Sequence, residues 1–143
     1  MDDNHPAEEH QRVDGLDDST VEAVGRLTEA LETTEQARGH LYAFHQLTGE
    51  ADFKLGDAVD RLRAAGHAEM ADRLATELVG RNVLPGRWTF QIVEDYDDTY
   101  WSPFRELEQQ VRAQLTAGRR HLAEAELKES RRTHGHPDHR ARP

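Results

Sequence analysis

Cysteine is absent from this 143-residue chain, which removes disulfides, thiolate zinc sites, iron-sulfur clusters and a cysteine nucleophile from consideration. Long apolar runs are missing too. No stretch approaches the roughly 20 residues that cross a bilayer, and the opening Met1-Asp2-Asp3-Asn4-His5 is acidic where a secretory or transit leader would be apolar or basic. These absences lead to the expectation of a cytoplasmic protein with no membrane partner. Basic residues are outnumbered, 18 Lys and Arg against 28 Asp and Glu, and the formal net charge of -10 repels phosphate backbones. Nucleic acid is therefore not an expected partner. Charge is nonetheless uneven, because Lys128, Arg131, Arg132, Arg140 and Arg142 meet only Glu129 and Asp138 near the end.

What the sequence does contain is helical periodicity. Residues 1–17 carry too few apolar side chains to offset the entropy of ordering them and are expected to form a disordered acidic tail. Ser19-Thr20-Val21-Glu22 reads as a capping box, and Val24, Leu27, Leu31, Leu41, His45 and Thr48 then recur at helical spacing. With Gly49 as the stop, this predicts a helix of about 30 residues, about 45 Å long. Leu55, Val59 and Leu62 predict a short helix ending at Gly66, and Met70, Leu74 and Leu78 a second one ending near Gly80 or Asn82. The segment from Trp88 to Val93 suits a strand by alternation, but no partner strand exists, so a helical or irregular path is favoured and the choice stays open. Ser102-Pro103 then predicts a fresh helix start, with Leu107, Val111, Leu115, Leu122 and Ala125 extending it to about residue 132. The expected fold is all-α, an antiparallel helical bundle of two long helices plus a short helical hairpin over residues 18–132, followed by a flexible basic, histidine-rich tail at 133–143.

Within the first helix Thr34, Arg38 and His45 share a line with Leu27, Leu31 and Leu41 and so point inward. Glu77 and Arg81 lie beside the stripe of Met70 and Leu74, which would let a carboxylate approach Arg38 or His45. Two meanings fit this pattern: an ion-pair network that sets helix register, or a ligand pocket inside the bundle. Gly39 and Gly118, expected inside helices, suit either close helix approach or space for a ligand. Six of the nine aromatic residues fall between Trp88 and Phe104 among Glu94, Asp95, Asp97 and Asp98. Such a stretch either plugs one end of a bundle or receives a cationic group. The candidate ligand-binding residues are Arg38, His45, Glu77, Arg81, Trp88, Tyr96 and Trp101. Asp95, Asp97, Thr99 and Glu106 hit several calcium-loop positions, but Tyr100 stands where the loop requires glycine.

Thr133-His134-Gly135-His136-Pro137-Asp138-His139 resembles the zinc-binding signature of the metallo-β-lactamase superfamily, which implies a di-zinc hydrolase. That family sets the motif after a buried strand of a much longer αβ/βα fold, whereas here a charged helical segment precedes it and Arg140 to Pro143 follow. His134, His136 and His139 are accordingly read as adventitious metal binders at most, and no metal or cofactor is expected. No Gly-x-Ser-x-Gly, phosphate loop or inward Glu-x-x-His is present, so no catalytic residue is assigned. His40-Leu41-Tyr42, Ala65-Gly66-His67 and the run from Gly80 to Phe90 resemble small α-helical proteins of GC-rich actinobacteria, a resemblance that implies no activity. The expected function is that of a non-enzymatic helical protein acting through contacts with a protein partner or with itself as a homodimer. The alternative is a small-molecule- or metal-binding bundle, with an enzyme as one form of it, that has a polar pocket around Arg38, His45 and Glu77.

Overall fold

The computed structural model describes residues 4–142; residues 1–3 and 143, the outermost parts of the two expected tails, lie outside the described residues. Regular structure among the described residues is helical, with no strand and a single isolated bridge between Leu84 and Arg87. The all-α reading of the sequence holds.

Helix α1 runs over Asp18–Ala64, 47 residues without interruption. Its start differs from the expected capping box: Asp17 Oδ1 accepts the Thr20 amide at 2.7 Å, and Ser19 lies inside the helix. Gly49 does not stop it. An interior glycine costs only about 1 kcal/mol, and helices end at glycine where the residue adopts a positive φ, as Gly66 does at +89°. There the amide of His67 returns to the Leu62 carbonyl at 2.9 Å and closes the helix. Helix α2 spans Ala68–Glu77, and the loop after it is tied to α1 by the Gly80 amide, which donates to Asp52 Oδ1 at 2.8 Å.

Helix α3 spans Thr89–Tyr96, which settles the open segment as helix. The Gln91 side chain accepts the Trp88 amide at 2.9 Å and so satisfies one donor at its start. A π-helical turn, Asp97–Trp101, then passes directly into α4, Ser102–Leu115. Ser102-Pro103 therefore follows a helix rather than beginning one. Proline offers no amide to the carbonyl four residues back and its ring crowds that carbonyl; a wider turn just before it relieves both. The last expected helix is also broken. Gly118, at φ +76°, returns its amide to Arg112 O at 2.9 Å, and Ala117 and His121 take positive φ as well. Helix α5 is the separate Leu122–Arg131. Gly118 is thus a helix terminator, not an interior glycine.

The chain divides into two compact units. Of the described residues, 4–34 and 102–142 form a terminal unit, and residues 35–101 form a central unit, so α1 contributes to both. In the terminal unit Val21, Val24 and Leu122 are buried, and Gly25 lets α1 and α5 close, since a Cβ there would stand 3.1 Å from that of Ala123. On α4 the expected stripe is displaced by one position: Leu107 and Leu115 are exposed, while Glu108 and Arg112 are 3% and 8% exposed. Arg112 Nε donates to Glu108 Oε1 at 2.6 Å, Thr28 donates to the same oxygen at 3.0 Å, and Arg112 Nη1 reaches Gly118 O at 3.1 Å. The ion pair is therefore hydrogen-bonded on several sides, as a buried charge requires. Arg12 forks onto Glu126, and Arg119 donates to the carbonyls of Glu8 (2.7 Å) and Gln11 (2.6 Å), next to a short 3₁₀ turn at Glu8–His10. The buried Arg132 binds Glu129 through Nε (2.6 Å) and Nη2 (2.8 Å), and also reaches the carbonyls of Asn4 (2.7 Å) and His139 (3.3 Å).

In the central unit the buried apolar side chains are few: Val59, Ala71 and Val93. Contacts to α1 rise in number as those to α3 and the π turn fall, with Glu35 on Trp101, Arg38 on Asp97 and His45 on Thr89. The two helical segments are thus antiparallel.

Candidate functional site

Glu35, Arg38 and Tyr42 follow one another at helical spacing on a single face of α1, and the π turn brings Asp97 and Trp101 to meet them. Arg38 Nε donates to Asp97 Oδ1 at 2.7 Å and Nη2 to Oδ2 at 3.1 Å, a bidentate fork. The guanidinium carbon lies 3.7 Å from the Trp101 ring centroid and 5.4 Å from that of Tyr42. The Trp101 indole N–H donates to Glu35 Oε1 at 2.6 Å, and Glu35 also stands 3.7 Å from Arg38 Nη1. The Arg38 hydrogen bonds hold the Asp97 carboxyl below the usual carboxylate range against the opposing effect of desolvation, with a further hydrogen bond from Tyr42. The same pairing raises Arg38. Cation, carboxylate and ring faces are all engaged with one another, which makes this cluster a register-setting lock.

The expected partnership of Arg38 with Glu77 does not occur. Glu77 accepts from Arg73 at 3.3 Å on the exposed side of α2. His45 is half-buried, with Nδ1 2.6 Å from Thr89 Oγ1. Tyr96 packs against Tyr100 with ring centroids 5.4 Å apart. Arg81 and Trp88 do come together, along a groove of about 640 Å³ that Asp52, Leu55, Leu78 and Val83 help to line. The seven candidate residues are thus distributed over a lock (Arg38, Trp101), a groove (Arg81, Trp88) with His45 beside it, a ring pair (Tyr96) and an exposed helix side (Glu77). The hydroxyls of Thr34 and Ser130 donate to carbonyls of their own helices.

In the tail, His139 Nδ1 accepts the Thr133 amide at 3.0 Å and His136 Nδ1 the Asp138 amide at 3.1 Å, and the rings of His136 and His139 lie 4.6 Å apart. These nitrogens shape the turn. A different trio, Glu32, His121 and Glu124 of the terminal unit, places one ligand atom each within 4.8 Å of the others, and all three residues are exposed. Exposed carboxylates converge in this way without an ion, and no metal is assigned to them.

The most unusual surface belongs to the central unit. Of the fourteen large apolar side chains that stand exposed among the described residues, eleven are there, including Leu47, Met70, Leu84 and Trp88, and Phe53 is 84% exposed. On α1, Tyr42, Gly49, Phe53 and Gly56 fall within about 60° of one another around the helix axis. A Cβ built at Gly49 or Gly56 would meet no atom within 4 Å. Sequence reasoning missed Asp97 as the partner of Arg38 and missed Phe53 altogether. The signal for Asp97 was its four-residue spacing from Trp101; the signal for Phe53 was its place opposite the Leu55 and Val59 stripe. No family model, curated protein or solved structure matches the chain.

Proposed function

We propose that this protein is a non-enzymatic, cytoplasmic helical protein that acts through protein contacts, and that the central unit makes them. The observation that carries the reading is the exposed apolar surface of that unit, with Phe53 at 84%. At about 200 Å² for a fully exposed aromatic, and somewhat less for an aliphatic side chain, the eleven residues present on the order of 1,000 Å² of apolar surface. These side chains are spread over α1, α2, α3, the π turn and the segments between them, so the area is distributed and not one patch. The alternative of a ligand pocket around Arg38, His45 and Glu77 draws no support from the geometry, because Asp97 satisfies Arg38 and Arg73 satisfies Glu77. The test is photocrosslinking in the cell. Benzoylphenylalanine in place of Phe53 is expected to give a covalent adduct with a protein, whereas the same group in place of the exposed Leu127 of the terminal unit gives none. A position 53 that yields no adduct overturns the reading.

A further inference from the structure

Resting on that reading, we infer that the groove of the central unit holds the C-terminal end of a partner polypeptide. Arg81 takes the terminal carboxylate, Asn82 the last peptide group, and Trp88, Leu55, Leu78 and Val83 the apolar last side chain. The case begins with the arginine. Of the seven Lys and Arg side chains in the central unit, six are paired with a carboxylate: Arg38 with Asp97, Lys54 with Glu50, Arg61 with Asp57, Arg63 with Asp72, Arg73 with Glu77 and Arg87 with Asp95. Arg81 alone has no such partner among the described residues. On the same groove the Asn82 side-chain amide and the Trp88 indole N–H likewise meet no acceptor among the described residues. Asp52, the carboxylate of the lining, is engaged at Oδ1 by the Gly80 amide, 2.8 Å away. That bond, with Gly80 at φ +70°, fixes the backbone from which Arg81 projects. Trp88 is held too, its amide on Gln91 at 2.9 Å and its ring edge-on to Phe90 at 5.3 Å. The open donors are thus positioned before any ligand arrives.

Donors and walls together select the occupant. A guanidinium is matched by a carboxylate, which it grips through two parallel hydrogen bonds. The apolar walls require that this carboxylate carry an apolar body, and the Asn82 amide matches a peptide group, which can donate and accept at once. A polypeptide ending in an apolar residue unites all three features, and capture of a chain terminus is a recurring mode of peptide recognition. Exposure separates a chain end from a free small acid. Sites for small molecules cover about 70–90% of the ligand surface, whereas Trp88, Leu78 and Val83 stay 55%, 45% and 38% exposed, so the groove is open to solvent. A chain end needs that opening, because the rest of the partner has to leave the groove. Gly49 supplies room on the α1 side: it lines the groove, and a Cβ there would meet no atom within 4 Å.

Fluorescence anisotropy with the purified full-length chain tests this directly. The probes are peptides fluorescein-Gly-Gly-Ser-Ala-Xaa, with Leu, Val or Phe as the last residue, each made as the free acid and as the C-terminal amide. At least one free acid is expected to bind saturably below about 1 mM chain, and its amide at least about tenfold more weakly. Arg81→Gln is expected to lower the affinity of the acid to that of the amide and to leave the amide unchanged, a pattern that general loss of structure does not produce. Gly49→Leu, which fills the groove from α1, is expected to abolish binding of both, with circular dichroism confirming that the variant is helical. Absence of saturable binding by every free acid overturns the inference. So does equal affinity for acid and amide, or an Arg81→Gln variant that still tells them apart. Octanoate that displaces the peptide at a lower concentration than the unlabelled peptide does makes a small acid the occupant and overturns it as well. The crosslink at position 53 is independent of the groove. An adduct there without peptide binding keeps the contact face and removes the chain-end site, whereas peptide binding without an adduct keeps the site and removes the face read from Phe53.

Discussion

The two units solve the same packing problem in opposite ways. The terminal unit places charge inside and binds it: Glu108 with Arg112, and Arg132 with Glu129 and two carbonyls, are buried with their hydrogen bonds made. The central unit leaves apolar surface outside, with only Val59, Ala71 and Val93 buried and Phe53 almost fully in solvent. Buried ion pairs add little net stability but penalise every alternative register that would leave one charge unpaired. Exposed apolar area penalises the isolated state itself and is relieved by association. A unit that buries paired charges and a unit that leaves most of its large apolar side chains in solvent are therefore distinguishable from the environments of their side chains.

The comparison breaks most readily at its polar end. Glu108→Ala strands the Arg112 guanidinium in a site where the whole residue is 8% exposed. Loss of one member of a buried pair costs about 3–5 kcal/mol. Urea unfolding followed by circular dichroism should show that loss, and a change below about 1 kcal/mol would mean that water already reaches the pair. The central lock should give a smaller effect. Asp97→Asn keeps the shape but removes the charge from the fork, at a cost of about 1–3 kcal/mol. Both tryptophans, Trp88 and Trp101, belong to the central unit, so their emission reports that unit alone. A midpoint that does not move on Asp97→Asn would show that Trp101 stacking, not the carboxylate, holds Arg38.

Acid sharpens the same contrast. The Asp97 carboxyl is lowered from an ordinary 3.8, chiefly by its hydrogen bonds from Arg38. Its contribution is present in full above that value and is lost as pH falls through the lower native one. Tryptophan emission should therefore show a loss of central-unit stability below about pH 4, and Asp97→Asn should flatten that step. In the terminal unit Asp17 and Glu129 are lowered in the same direction, by Thr20 and Arg132 respectively, and add their own acid loss to the dichroism signal.

Helical class was legible because the apolar spacing of α1 and α2 is a local signal, as was the end of α1 at Gly66. The inward line of Arg38 and His45 was legible in direction, and both are at least partly buried. Their partners were not. Asp97 meets Arg38 from the start of a π turn, and no periodicity rule anticipates such a turn. The stripe on α4 failed for a related reason: a template fitted to Leu107 and Leu115 assumes that apolar residues find cover within their own chain, whereas Glu108 and Arg112 occupy the interior. The same assumption placed Met70 and Leu78 in a core, although both are exposed. Gly49 was misread because composition does not reveal φ.

The smallest expected effect compares glycines across the two units. Alanine in place of an interior helical glycine gains about 1 kcal/mol where nothing else changes. Gly39 meets nothing within 4 Å, so Gly39→Ala should show that gain as a raised urea midpoint. Gly25 lies against Ala123, and its new Cβ at 3.1 Å would force α1 and α5 of the terminal unit apart by a few tenths of an ångström. The packing lost there offsets the helical gain, and Gly25→Ala should be neutral or destabilising. Equal gains at the two positions would show that the α1 and α5 contact yields freely, and the terminal unit would then owe its closure to its arginines alone.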